Sequence, residues 1–211
     1  KDNFTDLLAI SFSSPDYIGH QYGPNSIEVE DTYLRLDKDM EDLINTLDKE
    51  VGKDQWTLFL TADHAVAHTP AFLKKNKIEV STISSSTKQL NKMVEEKFGL
   101  PNAIVGSSNY QLYLNDAAID SLAKSKEDIS QFIVSQLMKI PQVLEAFTYD
   151  EMEEVILPTP VKEMIVNGFN RKRAGDIQII LKPGYFFGGT TGTTHGSWYP
   201  YDSHIPVVFM G

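Results

Sequence analysis

The chain has no cysteine in its 211 residues, which excludes disulfides and thiolate-held metals and leaves nitrogen and oxygen as the only metal donors. Positive charge is also in short supply: 19 Lys and Arg stand against 29 Asp and Glu, a formal net charge of −10. Nucleic-acid polymers and anionic membranes are bound by clustered cations that replace counterions, so this balance excludes both as partners. No apolar run approaches the roughly 20 residues of a membrane span. The first segment, Lys1 to Ile10, lacks the basic start and apolar stretch of a signal peptide. Repeats and low-complexity tracts are absent as well. What remains is a globular composition, 41% hydrophobic, able to bury a core as one large domain or two small ones. If such an acidic chain handles a phosphate ester, bound metal dications are the obvious source of local positive charge.

Leu7-Leu8-Ala9-Ile10-Ser11-Phe12, within residues 6–13, has the unbroken apolar texture of a strand buried on both faces. A chain that opens and closes on strand-like segments is expected to be part of a longer one, because natural ends are usually loose and polar. Ser14 to Pro24 is turn-rich and predicts a loop. Asn25 with Glu28 forms a capping-box pattern, and apolar residues from Ile27 to Val51 then recur at helical spacing until Gly52, predicting a helix of about six turns. Trp56 to Thr61 is a second buried strand, running into Ala62-Asp63-His64. Strand, helix, strand implies a right-handed crossover, hence an α/β fold with an open, mostly parallel sheet flanked by helices and functional loops at its carboxyl edge.

From residue 71 to 187 the texture changes. Strands are expected at Tyr110–Leu114, Val143–Thr148 and Asp176–Leu181, with helices at Ala117–Leu137 and Val161–Val166. This is the pattern of an inserted α+β subdomain, leaving 1–70 and 188–211 as the α/β core. The chain returns through the glycine- and threonine-rich loop Gly188 to Gly196 to a last strand, Ile205–Met210.

The chemistry-bearing residues sit at strand ends. Asp16-x-x-x-His20 follows the first strand, Asp63-His64 the second, and His195-Gly196 precedes the last. A doubly wound topology can bring three such loops to one edge, placing two carboxylates and three imidazoles in one cleft. That is a dinuclear ligand set. Zinc accepts His nitrogen and carboxylate oxygen, and two ions about 4 Å apart can grip both the attacking and leaving oxygens of a phosphoryl transfer.

Three strings carry a resemblance: Ser13-Ser14-Pro15-Asp16-Tyr17-Ile18-Gly19-His20-Gln21-Tyr22-Gly23-Pro24, Thr61-Ala62-Asp63-His64, and Gly192-Thr193-Thr194-His195-Gly196-Ser197 followed by Tyr201-Asp202-Ser203-His204-Ile205-Pro206. They resemble the phosphate-irrepressible alkaline phosphatases of the alkaline phosphatase superfamily, in the branch that also holds nucleotide pyrophosphatases and type I phosphodiesterases. The resemblance implies an alkaline-phosphatase-like fold and hydrolysis of small phosphate monoesters with two zinc ions. It implies that Asp16, His20 and His195 hold one zinc while Asp63 and His64 contribute to the other. In that family the second zinc also takes an aspartate from an earlier strand, and a Thr or Ser at the start of an earlier helix is the nucleophile, passing through a phospho-enzyme. Only 15 residues precede Asp16 here. The resemblance therefore places no catalytic nucleophile in this chain and implies that an N-terminal half is missing, the isolated chain being inactive. It further implies a periplasmic or secreted protein.

Other residues have competing readings. His204 could be mistaken for the third imidazole, but the glycine after His195 suits the close backbone approach of a ligand loop, so His195 is preferred. His68 fits a structural loop residue. Arg171-Lys172-Arg173 could meet a phosphate, although a basic triplet in a polar loop is usually solvated. Tyr22, Trp198 and Tyr199 could wall a substrate group or pack between loops. Two alternatives to the phosphomonoesterase stand: a phosphodiesterase or nucleotide pyrophosphatase with the same ligands, and a non-catalytic metal-binding fragment.

Overall fold

The computed structural model describes residues 4–78, 80, 83, 86–188 and 191–211. The region expected as a loop after residue 13 is a helix, α1 (Ser14–Tyr22), which opens on Pro15 and Asp16 and is stopped by Gly23 at φ +85°. Pro is pre-set for a first turn and an acid there meets the positive end of the helix dipole. The long helix follows as α2 (Ile27–Leu47), continued by one π turn over Asp48–Gly52. Its cap is Ser26, whose hydroxyl accepts from the Val29 amide. Asn25, expected in that role, instead accepts from His68 Nδ1 at 2.7 Å.

Strand β1 (Leu58–Thr61) pairs antiparallel with β6 (Val207–Met210), Leu58 opposite Met210 and Thr61 opposite Val207. Between them in sequence come α3 (Pro70–Lys75), α4 (Thr87–Phe98), β2 (Ile104–Ser108), β3 (Gln111–Leu114), α5 (Asp116–Ser121), α6 (Lys126–Leu137), β4 (Val143–Thr148), α7 (Thr159–Gly168), β5 (Ile177–Leu181) and α8 (Pro200–Ser203). A second sheet has the order β2-β3-β5-β4, all pairs antiparallel. The α/β class is present, but the ladders among the described residues are antiparallel; a single bridge, Ile83 to Phe187, is parallel. Leu7 to Phe12 forms no ladder and is exposed. The crossover rule fixes the hand of a strand-helix-strand unit and does not make its two strands neighbours. Residues 6–13, expected as a buried strand of a mostly parallel sheet, are thus in neither sheet.

The core covers both faces of the larger sheet: on one, α4 and α6 bring Leu90, Val94, Ile129, Ile133 and Leu137 against Leu112, Ile177 and Ile179, and on the other a smaller cluster joins Phe147 and Ile180 to Val161 and Ile165 of α7. β5 is buried along its whole length, as befits a central strand between β3 and β4. The helix expected over 117–137 is broken into α5 and α6 at Ala123, which sits at φ +49°. Ser125 then caps α6 by accepting from the Asp128 amide at 3.1 Å. The smaller sheet is open: Phe59 and Phe209 are exposed, the latter by 73%.

Candidate metal centre

Residues four apart on a helix share a face, so α1 presents Asp16 and His20 together, with Asp16 Oδ1 3.3 Å from His20 Nε2. The loop after β1 brings His64 Nε2 to 3.7 Å from the same carboxylate oxygen. The loop before α8 brings His195 Nε2 to 3.7 Å as well. Three imidazoles thus converge on Asp16. The ligating atoms of Asp16, His20 and His195 all lie within 4.8 Å of one another. His64 and His195 stack at 3.3 Å between ring centroids, 12° apart in plane. Asp63, with its side chain 92% exposed, stands at the rim, 3.8 Å from His64 Nε2.

Backbone contacts stitch the three loops. His20 Nδ1 donates to the Thr193 carbonyl at 2.8 Å, and the Thr193 amide donates to the His20 carbonyl at 2.9 Å. Thr193 Oγ1 donates to the Ala67 carbonyl at 2.6 Å, tying the His195 loop to the His64 loop. Gly192 makes the first crossing possible: at φ +81°, an added Cβ would lie 2.5 Å from the His20 carbonyl oxygen. Only glycine tolerates both the left-handed conformation and the approach. Asp202, 3% exposed, anchors the far side. Its Oδ2 accepts from the Ser197 amide at 2.5 Å, and its carbonyl accepts from the Ala65 amide at 2.8 Å. Sequence reasoning gave Asp202 and Thr193 no role, and nothing in their local pattern signals one.

The donor set suits a nitrogen- and oxygen-bound dication. In His20 and His64 the Nδ1 proton faces a carbonyl, Thr193 and Ala65 respectively, leaving the Nε2 lone pair for a metal. His195 has its pKa lowered by burial first and then by the neighbouring His64 and His20 rings, with Asp16 and Asp202 opposing. Neutral imidazole is the form that ligates.

The remaining candidates lie elsewhere. His204 is exposed and outside the cluster. His68 bonds Asn25 and stacks on Phe72 at 4.9 Å. Arg171, Lys172 and Arg173 are exposed in a turn held by Asn170. Tyr199 Oη donates to the Leu181 carbonyl and its ring stacks on Tyr201, while Trp198 packs against the Phe147 cluster. Tyr22 is half-exposed at the end of α1. Gly189 and Thr190 of the glycine-rich loop lie outside the described residues.

Comparison with known proteins identifies relatives along the whole chain. The chain is 44% identical over 212 residues to alkaline phosphatase PafA of Elizabethkingia meningoseptica, covering all of this chain and 39% of that protein. It is 43% identical over 211 residues to a protein of Myroides odoratus named calcium-transporting ATPase, covering 98% and 38%. It is 44% identical over 207 residues to alkaline phosphatase PhoV of Synechococcus elongatus, again covering 98% and 38%. A crystal structure of wild-type alkaline phosphatase PafA superposes with a TM-score of 0.89 at 45% identity, over 94% of this chain and 38% of that one. The alkaline-phosphatase-like fold is therefore present, although this chain spans under two-fifths of the length of these relatives. The profile of the type I phosphodiesterase / nucleotide pyrophosphatase family matches residues 2–203, and the chain belongs to that family.

Proposed function

We propose that the protein containing this chain hydrolyses phosphate monoesters, with zinc held by Asp16, His20 and His195 at one position and by Asp63 and His64 at a second. The observation that carries this reading is the convergence of three Nε2 atoms on Asp16 Oδ1, within 3.3 to 3.7 Å. Bound there, zinc would supply Lewis acidity toward a phosphoryl oxygen. The chain's own residues do the rest of the local work. Asp16 offers one carboxylate to all three rings. The Thr193 and Ala65 carbonyls hold His20 and His64 in the ligating tautomer. The His195 environment disfavours the imidazolium that would repel a cation.

The Thr or Ser nucleophile and the remaining aspartate ligand are assigned to the part of its relatives' length that this chain does not span, so the chain alone is proposed to be inactive. Residues 71–187 are assigned to an inserted α+β subdomain, a reading supported by the separate four-stranded sheet, and 1–70 with 188–211 to the α/β core. A periplasmic or secreted location rests on the family resemblance. No described helix is long and apolar enough to cross a membrane.

The family profile favours a second reading, phosphodiester hydrolysis on the same ligands. Assays of the full-length protein on p-nitrophenyl phosphate and bis(p-nitrophenyl) phosphate separate the two. The expected result is faster turnover of the monoester, abolished by a chelator and restored by zinc. Faster diester turnover would select the phosphodiesterase, and indifference to the chelator would remove the metal.

A further inference from the structure

We propose that the cavity beside His195 is the subsite for the ester's leaving group, and that it takes an uncharged, ring-bearing alcohol; this rests on the hydrolase reading above. The cavity has a volume of about 420 Å³, and Thr194 and His195 are among its lining residues. His195 thus belongs both to the cluster with Asp16 and His20 and to the wall of this cavity. An apolar cavity of about 150 Å³ already admits benzene, and small-molecule pockets run from about 300 Å³ upward. One substituted ring fits.

The chemistry of the walls narrows the occupant. The β2–β3 hairpin contributes Ser107, Ser108 and Asn109, which offer hydroxyl and amide groups, while Leu90, Leu112 and Ile179 contribute apolar surface. No Lys, Arg, Asp or Glu lies among the described lining residues. A carboxylate or second phosphate on the leaving group would therefore be taken from water without a counter-charge, at substantial cost. Tyr110 and Phe187 supply aromatic surface, their rings 5.7 Å apart. The Tyr110 hydroxyl stays neutral, because burial first and the nearby Asp202 second push its pKa well above the ordinary phenol value.

The hairpin turn adds an independent observation. Asn109 and Tyr110 have φ of +49° and +60°, the left-handed pair of a two-residue type I′ turn, in which the second position ordinarily goes to glycine. A tyrosine there is strained, and such strain gathers at functional sites. Its ring reaches the metal loop: a Cβ on Gly196 would sit 3.6 Å from Tyr110 Cε2. The strained residue thus joins the cavity wall to the loop that carries His195.

The test uses the full-length protein and its Ser108→Phe variant, in which an aromatic side chain on a strand position fills the cavity. kcat/KM is measured for phenyl phosphate and methyl phosphate on the same preparations, so any unfolded fraction cancels in their ratio. The phenyl-to-methyl ratio is expected to fall by about tenfold or more in the variant, the scale of discrimination by a shaped apolar pocket. A ratio unchanged within about twofold, against that tenfold scale, would overturn the subsite. In the unaltered protein, 4-carboxyphenyl phosphate is expected to react more slowly than 4-methylphenyl phosphate, although its leaving group is the more activated. Equal or faster reaction would overturn the exclusion of charge. If the unaltered protein hydrolyses neither phenyl nor methyl phosphate, the hydrolase reading itself fails and takes the subsite with it. An active protein with an unmoved ratio removes the subsite alone.

Discussion

Replacing Gly192 by Ala strikes the crossing on which the candidate centre depends. An alanine at φ +81° occupies the left-handed region at a cost of roughly 1–2 kcal/mol. Its Cβ would also stand 2.5 Å from the His20 carbonyl oxygen, a backbone atom that no rotamer change can move. Relief requires the 192–195 segment to retreat from α1, which breaks the His20 Nδ1 to Thr193 carbonyl bond and its reciprocal partner. Each such bond contributes about 0.5–1.5 kcal/mol. The combined penalty is about 2–5 kcal/mol, and a metal bridging α1 and the His195 loop must restore the same geometry against it. Since 1.4 kcal/mol corresponds to tenfold in affinity, zinc should bind at least about tenfold more weakly. Calorimetric zinc titration of chelator-stripped protein measures this. Gly168→Ala serves as the control, because that glycine closes α7 with nothing within 4 Å of its added Cβ. If Gly192→Ala matched the control in zinc affinity and thermal midpoint, the stitched-loop account of the centre would be refuted.

Removing the buried anchor should act from the opposite side. Asp202→Ala leaves the Ser197 amide without its acceptor and is expected to cost about 1–3 kcal/mol in denaturant unfolding; an unshifted midpoint would show that Asp202 holds nothing. In a zinc titration of this chain by itself, one tight site is expected, because Asp63 is exposed and, among the described residues, is paired with His64 alone; two equivalent tight sites would contradict this assignment. Acid stability supplies a third check. The Glu151 pKa is raised by partial burial but lowered more by bonds from Thr148 and Gln131, for a net depression. Its stabilisation is therefore present above the ordinary Glu range and lost as pH falls through the depressed folded value. Glu151→Gln should destabilise near neutral pH and converge with the parent protein in acid, and a difference independent of pH would sink the assignment.

The candidate residues were legible because their spacing is local. Asp16 and His20 are four apart, Asp63 and His64 adjacent, and each group abuts an apolar run. What sequence patterns missed depends on distant contacts. Segment 14–22 carries enough Gly, Pro and Ser to suggest a loop, yet Pro15 and Asp16 open a helix whose far end meets Thr193, 173 residues beyond His20. Helix α4 was passed over although Ser86 caps it and Gly99 ends it at φ +68°, since its apolar stripe is narrow and its other face carries Lys88, Lys92, Glu95 and Glu96. Strand β2 escaped because Val105-Gly106-Ser107-Ser108 lacks β-branched density; the hairpin partner β3 specifies it. Pairing direction was the largest departure. Periodicity marks a segment as extended and buried but says nothing of its neighbour, so β1 gave no sign that its partner would be β6, running antiparallel.

Hydrogen bonds of the chain itself link the three loops of the centre. His20 with Thr193, Thr193 with Ala67, and Ala65 with Asp202 form one chain of bonds running from α1 through the His64 loop to α8. Thr193 and Asp202, two of the few buried polar residues described, are both on that path. Burying polar groups is costly unless they are bonded, so their position ties the stability of the fold to the placement of the ligand loops. Substitutions on this path are therefore expected to disturb folding and ligand placement together.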